Sequence, residues 1–74
     1  MSIAQKIEVV VNGEPHRVTE GLTVAGLLAE LAIDPTRVAV ELDREIVRKA
    51  DWESVRVSSG ANVEIVWFVG GGRR

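Results

Sequence analysis

Residues 6–18 read KIEVVVNGEPHRV. Ile7, Val9 and Val11 recur at period two, the spacing that puts one row of β-branched side chains on one face of a strand. Asn12-Gly13 follows at once, and this dipeptide suits a two-residue type I′ turn because both residues tolerate positive φ. A return strand is therefore predicted through His16 to Val18. Residues 19–35, TEGLTVAGLLAELAIDP, change period: Val24, Leu27, Leu28 and Leu31 stand at i, i+3, i+4 and i+7, one stripe of an amphipathic helix. Thr23 is the natural N-cap and Pro35 the stop, which predicts about three turns. Gly26 within them costs roughly 1 kcal/mol relative to alanine.

Outward from this core, residues 36–47 (TRVAVELDREIV) predict a third strand over Val38 to Leu42, a turn near Asp43-Arg44 and a short return through Ile46-Val47. Residues 48–57 are too polar and irregular for a regular element, with Trp52 and Val55 closing a short turn over the core. Ser58-Ser59-Gly60 reads as a turn. Residues 61–69, ANVEIVWFV, are the strongest strand signal in the chain. Hairpin, helix, strand, short strand, strand is an α+β order. A right-handed crossover through the helix lays a later strand parallel to the first pair, giving a small mixed sheet with one helix across one face. This is the β-grasp arrangement, with the last strand inside the sheet beside the first. The predicted division is a β-grasp domain over 1–69 and a flexible tail over 70–74.

Composition sets the remaining bounds. Seventy-four residues allow one domain. With no cysteine, disulfides and thiolate chemistry are excluded, so stability must come from packing. Hydrophobic residues at 46% and charged residues at 27% fit a folded globular chain. Net charge is −2, and without Arg73 and Arg74 the count is seven basic against eleven acidic side chains, a balance of −4. Such a body has no basic stripe for nucleic acid and better suits a positively charged partner surface. The start MSIAQKIEVV lacks a signal-peptide pattern, and no apolar run approaches the roughly 18 residues of a bilayer span. The expectation is a cytoplasmic protein with no membrane partner.

In the last strand Val63, Ile65, Trp67 and Val69 point one way, and Asn62, Glu64, Val66 and Phe68 the other. Asn62 and Glu64 require water, so Val63 and Ile65 face the helix, and Val66 and Phe68 fall on the open face together with Val10. An exposed apolar patch there is a partner-docking surface. The competing reading is a bulge near Trp67 that turns these side chains inward. Gly70, Gly71 and Gly72 come next and have no Cβ, so their backbone passes through a channel too narrow for side chains. Glycines at a chain end are also what a frayed terminus contains, but these follow the final core strand with no intervening linker.

The segments VNGEP, TVAGLLAEL, VAVELDREIV with DW after it, and GANVEIVWFVGGG together resemble the ThiS family, the sulfur carrier proteins of thiamine biosynthesis. The resemblance runs from about Ile7 to Gly72. It implies a ubiquitin-like β-grasp carrier that is not itself an enzyme and binds no cofactor. Gly71 and Gly72 match the family's terminal pair, with the Gly72 carboxylate as the group that is adenylated and converted to a thiocarboxylate. Gly70 matches the extra glycine of members ending in three, and Val66, Phe68 and Val69 match the segment that meets partners. The implied partners are a ThiF-like adenylyltransferase using ATP and magnesium, a cysteine desulfurase as sulfur source, and thiazole synthase as consumer. Arg73-Arg74 depart from the family, whose glycine must be terminal: they are either an extension trimmed after Gly72 or residues added in cloning. A sister carrier such as the small subunit of molybdopterin synthase, a ubiquitin-like modifier and a plain interaction module are the alternatives.

Other residues carry weaker signals. His16 is the sole histidine and has no paired nucleophile, so it reads as a surface residue of the hairpin. The carboxylates are scattered over separate elements and form neither an acid/base pair nor a ligand cage. Trp52 and Trp67 read as packing mass, and Arg44, Arg48, Lys49 and Arg56 as a solvated surface.

Overall fold

The computed structural model describes residues 5–68. Strands β1 (Lys6–Val11) and β2 (Glu14–Thr19) form the first hairpin. Its turn is Asn12 at φ +50° and Gly13 at φ +83°, the left-handed pair that a type I′ turn requires. Helix α1 (Val24–Glu30) follows, then a 3₁₀ turn at Pro35–Arg37, β3 (Val38–Leu42), β4 (Glu45–Val47), a second 3₁₀ turn at Lys49–Asp51, and β5 (Asn62–Trp67). The sheet has five strands in the order β2-β1-β5-β3-β4. The β1–β5 contact is parallel, with Val10 opposite Asn62, and every other pairing is antiparallel. Together with the single helix this is the ubiquitin-like β-grasp, with the last strand central as the sequence predicts.

Helix α1 begins where expected. Thr23 Oγ1 accepts a hydrogen bond from the Gly26 N–H at 3.1 Å. The other first-turn donors are met by backbone carbonyls: Val24 N–H by Val55, Ala25 N–H by Trp52, Leu27 N–H by Thr23. The orphan N–H groups of Val24, Ala25 and Gly26 are thereby satisfied within the protein, and the Leu27 bond is the first of the helix's own ladder. Gly26 is accounted for by close packing, since a Cβ there would lie 3.1 Å from Leu22 Cδ2.

The helix is shorter than its periodicity predicts. It has seven residues, about two turns rather than three, and it ends well before Pro35. Ala32 adopts φ +59°, its N–H bonds to Ala29 O, and the Ile33 N–H bonds to Leu28 O. These two bonds make a Schellman motif with alanine in the left-handed position that glycine usually holds. Pro35 instead opens the following 3₁₀ turn, where Asp34 Oδ1 accepts from the Thr36 N–H at 2.9 Å.

One apolar core lies between α1 and the sheet. Val9, Val11 and Val18 come from the hairpin, Val24, Leu27 and Leu28 from the helix, and Val38, Val40, Val63 and Ile65 from the other strands. Trp52, 5% exposed, closes one end as predicted, its Nε1–H donating to Val47 O at 2.8 Å and Lys49 Nζ lying 5.4 Å from its ring centroid. The Asp43-Arg44 turn is also a two-residue left-handed pair (φ +50° and +74°), formed here without glycine. No helix of the described residues is long and apolar enough to cross a membrane.

Candidate functional site

The site begins with β5, which is held on both sides. Toward β3 the ladder runs without interruption from Leu42 opposite Val63 to Val38 opposite Trp67, and the Phe68 N–H bonds to Arg37 O at 2.9 Å. No bulge interrupts this register, so the alternation expected from sequence holds. Val63 and Ile65 are buried against the helix, whereas Val66 and Phe68 are each 57% exposed on the other face.

Toward β1 the strand is held by a device that the sequence did not suggest. The Asn12 N–H bonds to Val63 O at 2.8 Å. The Asn12 side chain then stands in for the next peptide unit: Oδ1 accepts from the Ile65 N–H at 2.7 Å and Nδ2 donates to Ile65 O at 3.0 Å. The ladder is thus extended past the end of β1 by a turn residue. Asp43, at the same position of the other turn, binds the start of β5 similarly, its N–H to Asn62 O and its Oδ1 from the Asn62 N–H. Only the turn propensity of Asn-Gly was readable in sequence; the long-range bonds depend on tertiary placement.

The open face carries more than the predicted pair. Ala39 stands opposite Val66, and Ile46 on β4, 75% exposed, stands opposite Glu41. Glu41 in turn faces Glu64 directly across the β3–β5 ladder. Among the described residues neither carboxylate has an ion-pair partner, and like charges directly opposite are destabilising. Their positioning amid exposed Ile46, Val66 and Phe68 makes an apolar, acidic surface complementary to a basic one with apolar contacts. Val10 lies on this face but is half-buried and opposite Asn62, so Ala39 rather than Val10 adjoins Val66.

Trp67 belongs to the helix-side row yet is 51% exposed, because α1 has ended before it reaches that level. It lines a groove of about 300 Å³ with Val11, Leu31 and Ile33. Val69, Gly70, Gly71 and Gly72, together with Arg73 and Arg74, lie outside the described residues. Among the described residues no cluster of His, Asp and Glu side chains is placed to hold a metal ion. His16 is half-buried opposite Val9.

Two carboxylates at some distance from this site have lowered pKa values. Glu30 Oε2 accepts from the Thr19 N–H at 2.9 Å and Oε1 from the Thr19 hydroxyl at 2.8 Å, and these bonds, with Lys6 nearby, hold its carboxyl below the usual value. Asp34 is likewise lowered, first by the Thr36 N–H and then by the Thr36 hydroxyl.

The ThiS family model matches residues 5–72, nearly all of the chain. The chain belongs to the ThiS family. Its fold is similar to a ThiS thiamine biosynthesis protein of Geobacter metallireducens in crystal form, with a TM-score of 0.79 and 35% identity over 89% of this chain and all of that one. It is 44% identical over 66 residues to a thiazole synthase of Paramagnetospirillum magneticum, a match covering 89% of this chain. That match takes up 20% of the synthase, so the chain spans about a fifth of the length of that relative. The protein ycf40 of Porphyra purpurea matches end to end, 31% identical over 70 residues, 95% of this chain and 99% of that one.

Proposed function

We propose that this ThiS family chain is a sulfur carrier in thiamine biosynthesis and that Gly72, once terminal, is its working group. The observation that carries the reading is the placement of β5. The strand that leads into Val69 and the three glycines is the central strand of the sheet, fixed on both edges, with apolar side chains exposed at its end. A group attached there is presented from a rigid base. The family match reaches Gly72, and a relative with a domain like this one is a thiazole synthase.

A carboxylate is a poor electrophile, so a ThiF-like adenylyltransferase activates Gly72 with ATP and magnesium, releasing pyrophosphate and forming an acyl-adenylate. Persulfide sulfur from a cysteine desulfurase displaces AMP, and a thiol then cleaves the sulfur–sulfur bond to leave the thiocarboxylate. Thiazole synthase consumes it. This chain contributes no catalytic group; it binds, presents and releases. The Glu41–Glu64 pair with Val66, Phe68 and Ile46 around it is the surface by which partners recognise the body, while Gly70 and Gly71 thread the active site. Arg73 and Arg74 must be removed first, because the glycine carboxylate is otherwise locked in a peptide bond.

Intact-mass measurement after incubation with the adenylyltransferase, ATP and a persulfide source tests this. The form ending at Gly72 should gain the mass of sulfur replacing oxygen, and the chain ending at Arg74 should gain nothing. Equal loading of both forms would refute the proposal.

A further inference from the structure

Backbone groups along β5 alternate between its two neighbours. Asn62 and Phe68 bond toward β3, while Ala61, Val63 and Ile65 bond toward β1 and Asn12. Trp67 therefore points its N–H and C=O to the β1 side. There β1 has already ended, and the Asn12 side chain reaches no farther than Ile65. Among the described residues nothing pairs with Trp67 on that side. A one-residue notch of open sheet edge results, in the middle of the sheet rather than at its margin.

The outer edges are treated differently. On β2 the outward-facing donors belong to Pro15, Arg17 and Thr19; the first has no N–H and the last is covered by Glu30. β4 is only three residues long. Such features are how sheets avoid pairing with other chains. The notch at Trp67 has no such protection, and its floor on the helix side is the groove lined by Val11, Leu31, Ile33 and Trp67, with Glu14 and His16 also lining it. Glu14 is exposed and has no ion pair among the described residues.

We propose that this notch receives an extended segment of the enzyme that activates Gly72, whose backbone pairs with Trp67, whose apolar side chain fills the groove, and whose basic side chain meets Glu14. Main-chain pairing supplies affinity in such strand addition, and the pockets for alternate side chains supply choice of partner. The net acidic body favours a basic segment. This contact is on the helix side of the sheet, opposite the Val66–Phe68 face, so the partner grips the strand end from both faces. The inference rests on the reading that Gly72 is adenylated.

Amide hydrogen exchange on the chain ending at Gly72, free and mixed with the ThiF-like adenylyltransferase of the same organism and ATP, tests it, with pyrophosphate release followed in the same sample. In the free chain the Trp67 amide should exchange much faster than that of Ile65, and in the complex it should slow at least about tenfold. Pyrophosphate release with no slowing at Trp67 overturns the notch while leaving the carrier reading standing. No release overturns both. As a second measurement, Ile33→Glu should raise KM for the carrier about tenfold with kcat nearly unchanged, and Ile33→Val should behave as wild type. A KM within about twofold of wild type for a folded Ile33→Glu chain would also overturn the notch.

Discussion

Replacing Asn12 by alanine removes the fastening between the first turn and the last strand, and the structure allows its cost to be worked out. Two hydrogen bonds, at 2.7 and 3.0 Å, are lost, each contributing about 0.5–1.5 kcal/mol net. Residue 12 also sits at φ +50°, where alanine pays a further ~1 kcal/mol that asparagine partly avoids. The sum is about 2–4 kcal/mol. At 0.05–0.15 kcal/mol per residue, a chain of 74 residues has a total stability of about 4–11 kcal/mol, so the loss is a large share of it. A domain of this size changes Tm by about 4–8 °C per kcal/mol, which places the decrease between roughly 10 and 30 °C. Asn12→Gly separates the causes: it keeps the left-handed backbone and loses only the side-chain bonds, so it should cost about 1–3 kcal/mol. Urea denaturation followed by circular dichroism gives both numbers, and amide exchange at Ile65 should accelerate in both variants. If both lie within about 0.5 kcal/mol of wild type, or if Ile65 stays as protected as before, the side chain is not what holds β5.

Three further outcomes are expected. Ala32→Gly should stabilise the fold by about 0.5–1 kcal/mol, because the Schellman position is already left-handed; destabilisation in thermal melts would argue against that helix end. The Thr19 bonds lower the Glu30 pKa in the folded chain, so their contribution is complete above the ordinary value of 4.5 and is lost as pH falls through the lower folded value. Glu30→Gln should therefore flatten the acid limb of stability against pH, and an unchanged acid limb would contradict this assignment. Val66→Glu, on an exposed position, should leave Tm within a few degrees of wild type while weakening capture by the adenylyltransferase severalfold in a pull-down titration; undiminished capture would remove the open face from the interface.

The residues differ in how openly they announced these roles. Period-two and period-3.6 patterns placed every strand and the helix start, and Asn12-Gly13 specified the first turn, because these signals are local. The alternation within β5 correctly sorted Val63 and Ile65 from Val66 and Phe68, since no bulge breaks the register. The helix end was misjudged because Pro35 is a visible stop whereas the left-handed Ala32 has no compositional mark. Ile46 and the Glu41–Glu64 pair joined the candidate surface only once the register between β3, β4 and β5 was known. Asn12 as a strand fastener and the unpaired Trp67 backbone were invisible for the same reason: both depend on where β1 stops relative to β5, a relation between residues more than fifty apart.

The central place of β5 bears on how the molecule comes into being. Synthesis reaches residues 62–67 last among the strands, yet β1 and β3 meet only through them. Until that stretch leaves the ribosome, the hairpin and the β3–β4 pair have no strand in common, and closure of the sheet is deferred to one late event. Acquiring a firmly mounted end and completing the architecture are thus a single step, so a chain cut short before β5 has neither.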